Sequence, residues 1–159
     1  MLQRVQSLYL AIAFILGILM FFFPFITYGF FSHKFELSVL GLHQLVGEPV
    51  LYKISTVPLI IISILVEIIF VVAIFLYKNR SLQMRMIRLN MLLNLLIFVA
   101  VSLYSTQVEN GLGVELKNQA TTAYSIGIVF PLINEVLLFL ALRGVKKDDE
   151  LVRSADRIR

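Results

Sequence analysis

Apolar residues come in four long runs along the chain, at about 7–26, 54–77, 89–106 and 121–142, with polar stretches between them. At ~1.5 Å per residue, a run of ~20 residues covers the ~30 Å hydrocarbon core of a bilayer. The run at 54–77, ISTVPLIIISILVEIIFVVAIFLY, is the clearest, and it carries one ionisable residue, Glu67, about halfway along. The pattern predicts an all-α membrane protein with four transmembrane helices in a single domain, 1–159, forming a four-helix bundle. The third run is short for a span and must recruit flanking residues. Its Asn90 and Asn94, four apart, share a helix face.

The intervening stretches carry other periodicities. Within the longest, residues 27–53, Phe35-Glu36-Leu37-Ser38-Val39 alternates apolar and polar, as a strand does. Val114-Glu115-Leu116-Lys117 does the same in the 107–120 stretch. The two either pair into a small β-sheet or are loops with accidental alternation. Residues 78–88, KNRSLQMRMIR, read as a short basic loop. Arg143-Gly144 reads as the stop of the fourth span, since glycine just past a helix favours termination. The tail 143–159 follows, with Asp148 as a plausible N-cap. Leu151, Ala155 and Ile158 form a narrow helical stripe there, suited to packing under the helices or to docking a cytoplasmic partner. In the first run, Ala13 and Gly17 share a face and either permit close helix contact or are a chance pair. Pro24 near the end of that run marks a kink or stop.

Composition sharpens the picture. The chain has 159 residues, 59% of them hydrophobic and only 15% charged, with a mean hydropathy of +0.90. Soluble domains hold about 25% charged residues, so an ordinary soluble domain is excluded. The net charge of +4 would suggest nucleic acid in a soluble protein. Here the basic residues lie beside the apolar runs and serve topology and lipid headgroups instead. Lys78, Arg80, Arg85 and Arg88, with Arg4, Arg143, Lys146, Lys147, Arg153, Arg157 and Arg159, fall on one side of a four-span chain. Only Lys34, Lys53 and Lys117 fall on the other. The bias predicts both termini in the cytoplasm. There are no cysteines, so thiol chemistry and disulfides are absent. His33 and His43 read as loop residues rather than a metal pair, and no metal or cofactor is expected.

Two segments carry a resemblance. The opening Met1-Leu2-Gln3-Arg4-Val5-Gln6-Ser7-Leu8-Tyr9-Leu10 and the tail RGVKKDDELVRSADRIR resemble a family of small four-span membrane proteins from Bacteroidota, known as a domain of unknown function. The tail string Asp149-Glu150-Leu151-Val152-Arg153-Ser154-Ala155-Asp156-Arg157 is the more specific of the two. The resemblance covers the full chain in layout. It implies a bacterial inner-membrane location and no particular activity.

Candidate chemistry lies in the polar residues of the spans. Counted from the basic edge at ~1.5 Å per residue, Glu67 lies roughly 16 Å deep, Glu135 roughly 12 Å and Asn94 roughly 9 Å. With Asn90 and Asn134 they form a candidate intramembrane polar cluster. Hydrocarbon disfavours a charged carboxylate, so Glu67 is expected to be neutral. Gly127, Pro131 and Glu135 recur every four residues, and Pro131 is the expected kink of the fourth helix. Such residues either clasp helices together, at about 0.6–2 kcal/mol per hydrogen bond, or form a proton-coupling or ligand site. No nucleophile elbow, phosphate loop or metalloprotease helix is present, so no enzyme is expected. The reading is a non-enzymatic membrane protein, a small subunit or scaffold of an envelope assembly. The alternative is a proton-coupled transporter or channel component using Glu67 and Glu135.

Overall fold

The computed structural model describes residues 2–30, 33–47, 54–111 and 121–157. Four helices and one small sheet account for almost all of them. Helix α1 is Leu2–Leu19, α2 is Val57–Phe75, α3 is Arg80–Gly111 and α4 is Val129–Arg157. Strands β1 Ile26–Phe30, β2 His33–Ser38 and β3 Gly41–Val46 follow α1, and β4 Thr121–Tyr124 precedes α4.

The helices pack in a ring: α1 against α4 and α2, and α3 against α2 and α4. Buried positions explain the arrangement. They are Gln6, Leu10, Ala13 and Gly17 on α1 with Met20 just past its end, and Leu59, Ser63, Val66, Phe70 and Ala73 on α2. On α3 they run Gln83, Ile87, Asn90, Asn94, Ile97 and Val101, and on α4 Pro131, Asn134, Leu138, Ala141, Val145 and Asp148. Every set steps by alternating fours and threes. That repeat keeps a single seam facing inward along a helix, as in knobs-into-holes packing.

Some of the inward seam positions are polar. Gln6, Ser63, Gln83, Asn90, Asn94, Asn134 and Asp148 are buried, while Ile61, Ile64, Leu65, Leu92, Leu95 and Leu96 face outward. Apolar side chains thus face both inward and outward over these stretches, with polar ones confined to part of the interior, which fits helices surrounded by hydrocarbon. Three helical stretches, Val57–Lys78, Arg80–Gly111 and Ile126–Val152, are long and apolar enough to cross a membrane.

The first predicted span is shorter than expected. Its apolar helical part, Val5–Leu19, falls below the length of the other three, and Ile26 belongs to β1 rather than to a helix. The helix ends in tightened turns, with Phe21 and Phe22 N–H bonding to the Ile18 and Leu19 carbonyls. Pro24 has no N–H with which to continue it. The Phe25 N–H then bonds to the Leu37 carbonyl and enters the sheet.

The alternation at Phe35–Val39 does mark a strand, β2. The second alternation, at 114–117, lies outside the described residues. The strand found nearby is β4, at the start of the predicted fourth span. The sheet has the order β3-β2-β1-β4, all neighbours antiparallel. Pairing of β1 with β4, Ile26 opposite Tyr124, joins the segment after α1 to the segment before α4. Gly41, at φ 146°, closes the β2–β3 hairpin in a backbone conformation that favours glycine.

The basic stretch 78–88 is not a loop. The turn between α2 and α3 consists of a 3₁₀ turn, Leu76–Lys78, and Asn79. The Asn79 side chain accepts a hydrogen bond from the Leu82 N–H, as a helix N-cap does. Helix α3 therefore starts at Arg80 and carries Arg85 and Arg88 on its exposed side. It extends the predicted third span at both ends.

The fourth helix does not stop at Gly144. It runs unbroken from Val129 to Arg157, so Asp148 lies inside it and is not an N-cap. The glycine serves a different purpose. A Cβ at position 144 would meet the Gln6 side chain, Cγ at 2.7 Å, so the glycine lets α1 approach α4.

Candidate functional site

The polar side chains inside the helices fall into three groups. At the end away from the sheet, Gln6 Nε2 donates to Asp148 Oδ2 at 2.7 Å, joining α1 to α4. Near it, Gln83 Nε2 donates to the Ala73 carbonyl at 3.0 Å, joining α3 to α2. Hydropathy alone did not single out Gln6 or Gln83. Their spacing could have done so, because each falls on the four-three repeat of its helix.

The second group holds four of the five predicted cluster residues. Asn94 Nδ2 donates to the Pro131 carbonyl at 2.7 Å and lies 3.2 Å from Glu135 Oε2. One amide from α3 thus holds both a backbone carbonyl and a carboxyl of α4. Asn90 Nδ2 donates to the Val66 carbonyl at 3.3 Å and so fastens α3 to α2. Asn134 lies on the inward seam of α4, between the two partners of Asn94.

Pro131 does not act as a mid-helix kink. Helix α4 begins at Val129 after a 3₁₀ turn, Ile126–Ile128, so the proline sits in the first turn, where its missing N–H costs nothing. The stripe Gly127–Pro131–Glu135 is also adjusted. Asn134 takes the buried position and Glu135 lies at the edge of the seam, toward α3. Gly127 packs on the Phe23 and Pro24 carbonyls, and its N–H bonds to the Pro24 carbonyl at 3.0 Å.

Glu67 stands apart from the Asn94–Glu135 pair. Its carboxyl packs against Gly17 of α1, so it occupies the α1–α2 seam. Both carboxyl oxygens are buried without a hydrogen-bond partner among the described residues. Ser63 Oγ, Asn90 Oδ1 and Asn134 Oδ1 share that condition. Asn90 bonds to the residue just before Glu67, so these atoms lie within about one turn of each other along the helix axes.

Of the predicted headgroup residues, Lys78 lies in the α2–α3 turn and Arg80, Arg85 and Arg88 lie in the first turns of α3. Lys78, Arg85 and Arg88 are exposed, and the Lys78 ammonium lies 5.9 Å from the Tyr77 ring. In the tail stripe, Leu151 is half exposed. The side chain of Ala155 and all of Ile158 lie outside the described residues. Among the described residues no three His, Asp or Glu side chains gather in the manner of a metal site.

A cavity occupies the sheet end. It measures about 440 Å³ and lies between α3, the start of α4 and the β1–β4 pair. Behind its wall is the fully buried Tyr28. Burial pushes the Tyr28 phenol above its usual range, Ser105 alongside offsets part of this, and Glu109 and Tyr124 add to it.

A family model matches the chain over almost its whole length. The chain belongs to the family described as a domain of unknown function, DUF4293. The family model matches residues 2–158. That span includes all four helices and the sheet, so the family unit is the whole of the described fold. A comparison with curated proteins finds no match.

Proposed function

We propose that this DUF4293 protein is a non-enzymatic integral membrane protein, a small subunit or scaffold of an envelope assembly. In this reading the four-helix bundle lies in the bacterial inner membrane with all four helices inserted and both termini in the cytoplasm. The observation that carries it is how the interior polar groups are used. Gln6, Gln83, Asn90 and Asn94 each tie one helix to another. They fasten the helices rather than converge on one reaction centre. The basic residues near the α2–α3 turn and on the far end of α4 support the orientation.

A protein partner would engage the cytoplasmic end of α4, where Leu151 and Val152 are exposed. The test is cross-linking and co-purification from native membranes, with the full chain beside a Leu151→Asp variant. Recovery of one defined partner, lost in the variant, supports the scaffold reading. Recovery of the chain alone in both counts against it.

One observation favours the second reading, proton coupling. The Glu67 carboxyl is buried and unpartnered, a costly condition for a residue with no other use. Glu67→Gln separates the two readings in a complementation assay. A scaffold keeps its function with the amide, which retains a donor and an acceptor. A proton-coupled protein folds but fails, because an amide releases no proton.

A further inference from the structure

The cavity at the sheet end has a mouth of mixed character and an apolar floor. Ser102, Ser105, Thr106, Glu109 and Tyr124 lie toward the sheet with Ile26 and Ile128 beside them, and Val101, Phe98 and Leu132 line the part further along the helices. Its volume of about 440 Å³ falls within the ~300–1,000 Å³ of small-molecule sites. The floor continues along the α3–α4 groove. Phe98 and Leu132 also line a second cavity of about 150 Å³, which reaches Leu95, Asn94 and Glu135. Both shared residues are well exposed, at 37% and 52%, so the groove opens sideways between the helices.

The polarity follows the expected depth. Phe98 and Leu132 sit within helices apolar enough to cross a membrane, while Glu109 and Tyr124 sit at the sheet end of those stretches. A pocket whose polar groups gather at the membrane edge, with apolar ones below, matches an amphiphile lying along the helices. Tyr28 adds a second observation: its buried hydroxyl makes no hydrogen bond of full geometry, and it lies among Ser105, Glu109 and Tyr124.

Charge narrows the headgroup. Glu109 is the one charged side chain among the described lining residues, and no Lys or Arg joins it. The other polar mouth groups are hydroxyls, which accept as readily as they donate. Such a mouth suits a cation that donates hydrogen bonds and disfavours a purely anionic headgroup. We propose that this cavity seats one membrane lipid with a primary-amine headgroup, its ammonium at Glu109 and its acyl chain along the Phe98–Leu132 groove. The site is independent of the scaffold reading and needs only that the protein resides in a bilayer.

The test uses the full chain purified in mild detergent. Phosphatidylethanolamine and phosphatidylglycerol with the same acyl chains are titrated in, and bound lipid is counted by native mass spectrometry. The wild type retains the amine lipid about three- to fivefold more strongly, the size of one partly exposed ion pair. Glu109→Gln removes that preference while its melting temperature in detergent alone stays at the wild-type value. Glu36→Gln, a neutralisation elsewhere on the sheet, leaves the preference intact. Leu132→Trp, which narrows the apolar groove, weakens retention of both lipids.

Equal retention of the two lipids by the wild type would overturn the proposal, as would a preference that survives Glu109→Gln.

Discussion

Gln6 Nε2 and Asp148 Oδ2 lie 2.7 Å apart and 142 positions apart in the chain. The bond ties the start of α1 to the far half of α4, beside the glycine that lets the two helices approach. Both residues are buried, at 5% and 8% exposure, so neither can turn to solvent without moving a helix. Position 148 is therefore an interior position of the fold.

This pairing predicts an asymmetric mutational response. Asp148→Ala leaves the Gln6 amide buried without its partner and should cost about 1–3 kcal/mol. Gln6→Leu with Asp148→Leu removes both polar groups and should cost less than either single leucine change. Thermal unfolding in detergent of the four proteins measures the coupling. Additive single effects would show that the bond contributes nothing to α1–α4 packing.

Tyr28 predicts a loss of stability in alkali. Burial holds its folded pKa above the ordinary value of 10.0. Folding therefore favours the protonated phenol, and its contribution is complete below about pH 10. Above that, the unfolded chain gives up the proton first, and stability falls as pH rises toward the folded value. Tyr28→Phe removes this term and should flatten the stability profile between about pH 9 and 11 relative to wild type. Identical profiles would place the phenol in contact with water.

Different features of the fold were legible to different degrees in the sequence. Hydropathy located the core of each long helix and the polar residues Glu67, Asn90, Asn94, Asn134 and Glu135. It misplaced boundaries wherever tertiary contacts decide them. KNRSLQMRMIR reads as a loop when only apolarity is counted, yet Gln83 and Ile87 within it continue the repeat of Asn90, Asn94 and Ile97. Gly144 carries a local stop signal, but the reason for that glycine is Gln6 on another helix. The end of α1 is likewise set by the Phe25–Leu37 pairing with the sheet, which local pattern does not encode. The polar cluster was legible as a set of residues, and its division between two seams was not. Helical periodicity gives a residue's face but not which neighbour that face meets.

The sheet also predicts a sidedness experiment. Because β1 pairs with β4, the segments after α1 and before α4 share one end of the molecule, and the α2–α3 turn lies at the other. With the basic turn in the cytoplasm, a reporter active only in the periplasm should stay silent at the C-terminus. The same reporter inserted near Gly111 should be active. The reverse pattern would invert the orientation, and activity at both positions would remove one of the four proposed spans.

Gly17 and Glu67 give the sharpest test of the interior, because two effects on α1 have opposite signs. In an ordinary helix, replacing glycine by alanine stabilises by about 1 kcal/mol through backbone entropy. At position 17 the added methyl would run into the Glu67 carboxyl. The carboxyl is the end of a flexible side chain, but both its oxygens are buried between α1 and α2, so moving it disturbs the seam. Overpacking of this kind costs about 1–3 kcal/mol, which should outweigh the propensity. Gly17→Ala in the wild-type background is therefore expected to lower the melting temperature. In a Glu67→Ala background the obstacle is gone, and the same change should raise it. Glu67→Gln keeps the bulk of the side chain, so Gly17→Ala should remain destabilising there, which separates packing from charge. Melting curves in detergent for the six combinations decide the matter. If Gly17→Ala stabilised the wild type, Glu67 would not be seated against α1, and its buried, unpartnered carboxyl would need another location.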